Sequence, residues 1–366
     1  MTLDELRCFA VARSLRTQQD LFAAIKRLGY VQADPIRAPA RAQDLILRHR
    51  VIDYRIDDLE KRYPDLPVRE EMLHNYGFVP QDHLNLLYPR RASPRWQEFI
   101  AQHRALRGKV LRHLDANAEA HPRDVERTLG SGVRDNGWGS SSSVTTLMLE
   151  ALHREGKAMV IRREAGVRVY AAAPALDKNI QLAPIARADG LIRLLVSLYA
   201  PLPQRSLTQL IAMIGHRKPD VDYAARIERM VKRGELAREA VDGLVYLWPA
   251  GEGAPGIVDD RVYLLAPFDP VVWDRRRFEH LWGWAYRFEA YTPPAKRKLG
   301  YYAMPMLWRA QIVGWANARI ENCELKVETG FARKQAAGRD ARVIFKRELE
   351  AEVQGLGRFL GISAVL

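Results

Sequence analysis

Apolar residues recur at helical spacing near the start of the chain, with Leu3, Leu6, Phe9 and Ala10 on one stripe and Leu21, Ile25 and Leu28 on the next. Side chains three or four positions apart share a helix face, so short helices are predicted over residues 2–15 and 18–28. Gly29 suits the left-handed residue that ends a helix. The period then changes: Tyr30-Val31-Gln32 has strand character, and Pro35 disfavours the α conformation of Asp34 before it. Residues 39–50 read as a basic helix opening on proline, and 56–63 as another.

Helical spacing returns at Trp96, Phe99, Ile100 and Leu106, which predicts one long helix from Ser93-Pro94 to about Leu114. A shorter helix follows His121-Pro122, a Gly- and Ser-rich loop covers 130–143, and one of its serines caps a helix over 144–155. Gly156 to Tyr170 reads as a β-hairpin with a basic tip. The same order comes again, with helices over 187–199, 206–214 and 220–233 and then a hairpin turning at Asp242-Gly243. Three helices followed by a hairpin is the winged-helix version of the helix-turn-helix, and the N-terminal stretch is a less clean third copy. Past 251–256 the chain turns aromatic and β-rich. A hairpin is expected to turn at Arg309-Ala310 within a small sheet or barrel, and a helix over 336–360 closes the chain. The expected fold is mainly α with β: tandem winged-helix repeats in 1–90, 91–178 and 179–250, then a β-rich, barrel-like domain with a terminal helix in 257–366.

Composition adds a partner. The 366 residues carry a formal charge of +13, more than solubility requires, which points to a polyanion and first of all to nucleic acid. An anionic membrane surface is the rival, but no apolar run has the length of a spanning helix. The N-terminus lacks the apolar core of a signal peptide, so a cytoplasmic, nucleoid-associated protein is expected. Cys8 and Cys323 stand far apart without partners at ligand spacing, and neither a disulfide framework nor a metal site is indicated. No phosphate loop or nucleophile elbow stands out either, and no cofactor is expected. The basic clusters are Arg162, Arg163 and Arg168; Arg275, Arg276 and Arg277; and Lys296, Arg297 and Lys298. Charge runs are most often solvated faces, but beside the repeats and the net charge these read as contacts to DNA phosphates.

One stretch carries candidate chemistry. In an extended chain Gln32 and Asp34 point the same way, with α-carbons about 6.6 Å apart, so a carboxamide and a carboxylate can hold one water between them. The alternative is an ordinary strand end whose aspartate accepts backbone hydrogen bonds in an Asx turn, and spacing alone favours the turn. His74 and His83 are isolated. His74 shares the first segment with the pair and ranks behind it as a catalytic candidate.

Gly29-Tyr30-Val31-Gln32-Ala33-Asp34-Pro35-Ile36 resembles the Gln-x-Asp motif of the YcaQ-like branch of the YcaQ/AlkZ winged-helix DNA glycosylases. Pro267-Phe268-Asp269-Pro270-Val271-Val272-Trp273-Asp274-Arg275-Arg276-Arg277, continuing through Tyr286-Arg287-Phe288-Glu289 to Pro294-Ala295-Lys296-Arg297-Lys298-Leu299-Gly300-Tyr301-Tyr302, is similar to that family's second signature. The tripeptide alone is weak; with the long C-terminal block it is specific. The resemblance implies a monofunctional glycosylase, without metal or cofactor, that releases N7-alkylguanine from double-stranded DNA and unhooks N7-linked interstrand crosslinks. Gln32 and Asp34 match the two catalytic positions, and His74 matches a family histidine set here in a different local sequence, Leu-His-Asn-Tyr-Gly. The reading from another class is a non-enzymatic winged-helix regulator or architectural DNA binder. A regulator is usually a symmetric dimer on a palindrome, whereas repeats inside one chain favour a monomer lying along DNA.

Overall fold

In the computed structural model, residues 1–90, 92–130, 132–135, 141–174, 182–214, 221–253, 256–332 and 339–365 are described. They hold fourteen α-helices and fifteen strands in a mixed α/β arrangement. Two compact units interleave along the chain: a major unit of Met1–Leu59, Leu191–Leu210 and Asp222–Leu366, and a minor unit of Glu60–Gly190 and Ile211–Val221.

The major unit opens on the helices Leu3–Ser14 and Leu21–Leu28. Thr2 and Glu5 form a capping box on the first, and Asp20 caps the second by accepting from the Ala23 N–H at 2.7 Å. Its core joins Leu6, Phe9 and Val11 to Tyr246, Trp248, Phe278, Trp282 and Leu307. The C-terminal sheet has five strands: Val262–Leu264, Met304–Trp308, Gln311–Glu321 and Glu324–Phe331 pair in turn antiparallel, and Ser363–Val365 adds in parallel. It curls as a half-barrel and keeps two edges, where the sequence suggested a sheet or barrel. The turn at Arg309-Ala310 is as expected, with φ of 49° and 57° at its two central residues. The terminal helix runs Arg339–Leu360, and its expected first residues, 336–338, lie outside the described residues.

The minor unit packs Arg104–Ala116, Pro122–Leu129 and Val144–Arg154 around Val110, Leu114, Val125, Met148 and Leu152, with Val160 and Tyr170 from the hairpin Ala158–Glu164/Val167–Ala172. Ser143 is the N-cap of Val144–Arg154; within the stretch 130–143 expected as a loop, Val133–Asp135 and Ser141–Ser143 pair as antiparallel strands, and 131 and 136–140 lie outside the described residues. A second helix series, Pro184–Tyr199, Gln204–Met213 and Tyr223–Lys232, belongs mostly to the major unit and precedes that unit's hairpin Leu236–Val241/Leu244–Pro249.

Two helices depart from the sequence pattern. The long helix expected over 93–114 is two, Pro94–Gln102 and Arg104–Ala116, because His103 leaves the helical region at φ −117° and ψ 36° and packs its ring on Phe99 at 4.8 Å. A one-residue break hardly disturbs apolar periodicity, so the pattern runs through it. The basic helix expected over 39–50 shrinks to Ala42–Leu47, and all six of its residues are buried.

Candidate active site

The helix Leu21–Leu28 ends on Gly29 at φ 73°, whose N–H returns to the Ile25 carbonyl at 2.8 Å. The αL residue costs glycine little and redirects the chain into the short strand Val31–Gln32. Gln32 is 7% exposed and Asp34 9%. The Asp34 N–H donates to Gln43 Oε1 at 3.2 Å, and its carboxylate Oδ1 accepts the Ile36 N–H at 2.9 Å. The Asx turn is therefore present, and it fixes the carboxylate by one oxygen. Oδ2 makes no hydrogen bond to the described residues. Burial pushes the Asp34 carboxyl above its ordinary value, opposed only by the Ile36 N–H.

Gln43 sits on Ala42–Leu47, and the residues after that helix tie it down. Arg50 and Asp269, 1% and 0% exposed, form a bidentate pair at 2.8 and 2.9 Å, and Arg50 also donates to the Ser14 and Ile46 carbonyls. Arg48 pairs with Glu352, and His49 Nε2 lies 3.1 Å from the Leu264 carbonyl. The cations of the expected basic helix are thus internal, and Asp269 of the C-terminal signature holds the support of Asp34. Beside Gln43, Asp44 is pushed up to about 6 by burial, even with the Tyr54 hydroxyl donating to it at 2.6 Å.

The rest of that signature builds an aromatic wall. The Phe288 ring meets Phe268, Tyr291 and Tyr302 edge-on at 5.1, 6.1 and 5.3 Å. Glu289 Oε2 accepts the N–H groups of Lys298, Leu299 and Gly300 at 2.8, 2.7 and 3.3 Å, and Asn317 donates to the Leu299 carbonyl at 2.7 Å. Gly300 has φ 122° and faces Asn317 so closely that a Cβ would strike its amide. After burial itself, the charge of Asp34 is the next cause that pushes the phenols of Tyr291 and Tyr302 up, so this wall lies within reach of the field of the carboxylate.

The basic clusters divide. Arg277 is 2% exposed, with its guanidinium on the carbonyls of Tyr199, Pro201, Pro270 and Val271. Arg275 donates to the Val272 and Pro267 carbonyls and lies over the Tyr286 ring. Arg276 is exposed. In the minor unit Arg163 binds Glu70 at 2.6 Å, Arg168 lies 3.9 Å over the Tyr76 ring and 3.3 Å from Glu150, and Arg162 pairs with Glu119 and Glu164 near the surface. The hairpin tip expected to be basic thus has its arginines held by carboxylates. Lys296 and Lys298 are exposed, while Arg297 donates to the Thr292 carbonyl and covers the Tyr301 ring.

His74 lies in the minor unit, lining a cavity of about 610 Å³ with Arg90, Trp96, Arg154 and Met213, and burial lowers its pKa to about 3. Its imidazole is neutral at physiological pH. Among the described residues no group of His, Cys, Asp or Glu is placed to hold a metal ion, and no helix is long and apolar enough to cross a membrane.

Sequence reasoning missed Gln43, the Arg50–Asp269 pair and Tyr302. Asp269 and Tyr302 stand inside the quoted C-terminal block, but nothing in the sequence marks their partners. The chain is similar in fold to the DNA glycosylase AlkZ of Streptomyces sahachiroi, with a TM-score of 0.66 at 16% identity, covering 100% of this chain and 98% of that one. Residues 25–359, which include the Asp34 loop, the aromatic wall and most of the terminal helix, match the description "DNA glycosylase AlkZ-like". This chain belongs to the AlkZ-like family of DNA glycosylases.

Proposed function

We propose that this glycosylase is monofunctional, hydrolysing the N-glycosidic bond of N7-alkylguanine in duplex DNA and unhooking N7-linked interstrand crosslinks to leave an abasic site. The observation that carries this reading is Asp34, a buried carboxylate anchored by one oxygen, with its other oxygen unbonded and no cation paired to it among the described residues. Glycosidic cleavage ordinarily takes one acid for the leaving group and one carboxylate for the oxocarbenium-like transition state or for water. An N7-alkylated guanine is already a cation and leaves as a neutral base, so the acid is dispensable. Asp34 then stabilises positive charge at C1′ and takes the proton of the attacking water, and Gln32 orients that water. No amine nucleophile takes part.

Arg276, Lys296 and Lys298 are the cluster residues that we assign to DNA phosphates; Arg162, Arg163, Arg168, Arg275, Arg277 and Arg297 already bind carboxylates, rings or carbonyls within the protein. His74, ranked behind the pair as a catalytic candidate, lies in the minor unit and is held neutral by burial, so we assign it no proton-donating step in the hydrolysis. The helix-and-hairpin series serve as winged-helix supports for a monomer lying along the duplex. Incubation with a duplex carrying one N7-methylguanine, or one nitrogen-mustard crosslink, tests this: an alkali-labile abasic product from the wild type and none from Asp34→Asn is expected. No product from either substrate, or full activity in Asp34→Asn, refutes it.

A further inference from the structure

Tyr302 is 3% exposed, and its hydroxyl is buried with no hydrogen-bond partner among the described residues. An unsatisfied buried hydroxyl is costly, and packing does not call for it. A phenylalanine would keep the edge-on contact with Phe288 at 5.3 Å and the same place in the wall. The residue is also held in position: Gly300 two positions before it is fixed by Glu289 and Asn317, and the next strand begins at Met304. The charge of Asp34 acts on this phenol, and Asp34 has its Oδ1 taken by Ile36 while its Oδ2 makes no hydrogen bond to the described residues. Burial comes first among the causes that raise the Tyr302 phenol and the Asp34 charge second, so this hydroxyl is a proton donor at any physiological pH.

We infer that Tyr302 is a positioning residue of the hydrolysis, its hydroxyl donating a hydrogen bond to the water that Asp34 and Gln32 hold. A water has two protons and two lone pairs. One proton goes to Asp34 Oδ2 and the other to the Gln32 carbonyl oxygen. Tyr302 occupies one lone pair, and the remaining lone pair is left to form the bond to C1′. The C1′–N9 bond breaks with its electron pair passing to the neutralised base, and the water proton passes to Asp34. The inference rests on the hydrolytic reading above.

Tyr302→Phe in the full chain tests it, in single-turnover release of N7-methylguanine from a duplex across pH, with duplex affinity and Tm measured alongside. The expected result is a rate about tenfold lower, as for one lost hydrogen bond, with affinity unchanged and Tm unchanged or higher. The acidic limb of the rate profile is expected to move to higher pH, because the carboxylate loses the donor that polarises its water. A rate and limb equal to wild type overturn the inference and leave the hydrolytic reading standing. A lower rate accompanied by lower Tm or weaker DNA binding also overturns it, as a packing or DNA-contact role would produce that result. A wild type that releases no base overturns both.

Discussion

Glu70 and Asp34 are buried carboxylates in different compact units, and their surroundings differ in kind. Glu70, 1% exposed, receives Arg163 at 2.6 and 2.9 Å and the Tyr76 hydroxyl at 2.7 Å. Burial alone would raise it, but Arg163, Arg168 and Tyr76 more than offset that and hold it below its ordinary value. Its neighbour Glu71 is treated alike: burial is outweighed by His153, Arg90 and Tyr88. Asp34 has one backbone N–H and is pushed up by burial. Glu70 and Glu71 thus have cationic and hydroxyl partners, whereas Asp34 in the major unit has a single backbone N–H. Uncompensated burial of this kind is what a reacting group needs and a structural one avoids.

The contrast is broken most severely by exchanging charge for amide at each acid. Asp34→Asn is expected to lower single-turnover base release by about 10³-fold, the scale of a lost general base, while Tm stays level or rises because an unpaired buried charge is removed. A fall in Tm would mean that Asp34 is structural. Glu70→Gln is expected to do the opposite, destabilising the fold by about 3 kcal/mol because Arg163 loses its counter-charge. Its rate per folded molecule stays at the wild-type value, and thermal unfolding beside an active-site titration separates the two effects.

These two acids also show what the sequence could and could not convey. Local rules worked where the cause is local: Gly29 ending a helix, Ser143 capping one, and Arg309-Ala310 turning a hairpin each depend on neighbours a few residues away. They failed where the cause is distant. Arg48 and Arg50 read as a basic surface because their partners, Glu352 and Asp269, lie 304 and 219 positions along the chain. Arg163 read as a phosphate contact because Glu70 is 93 positions before it. At Gln32 and Asp34, spacing pointed to a turn and the family resemblance to a catalyst. The turn exists, and it is the means by which the carboxylate is held. The unsatisfied hydroxyl of Tyr302 had no signal in the sequence, since lacking a partner is a property of the folded state.

Asp44 sharpens the comparison as a third buried acid, raised to about 6 yet bonded to Tyr54. Its folded pKa exceeds the ordinary aspartate value, so the native state holds the proton more tightly than the unfolded chain. Its contribution to stability is greatest below about pH 4, falls as pH rises to about 6, and is level above that. The loss across that window amounts to about 2–3 kcal/mol. Asp44→Asn removes the slope, so the Tm difference between variant and wild type should grow more positive from pH 4 to 6.5, and a pH-independent difference would contradict this. The smallest effect is expected at the surface: alanine at Lys296 and Lys298 should weaken duplex binding a few-fold and reduce the salt slope by about 0.9 for each phosphate no longer neutralised. An unchanged slope would remove that loop from the DNA interface.

The most direct test of an ionised, uncompensated Asp34 at the centre of the reaction is the pH dependence of single-turnover release of N7-methylguanine by the wild-type enzyme. An acidic limb above the ordinary aspartate range is predicted, with activity rising as the raised carboxyl loses its proton. A limb at or below that range, or a rate flat through it, would contradict the assignment.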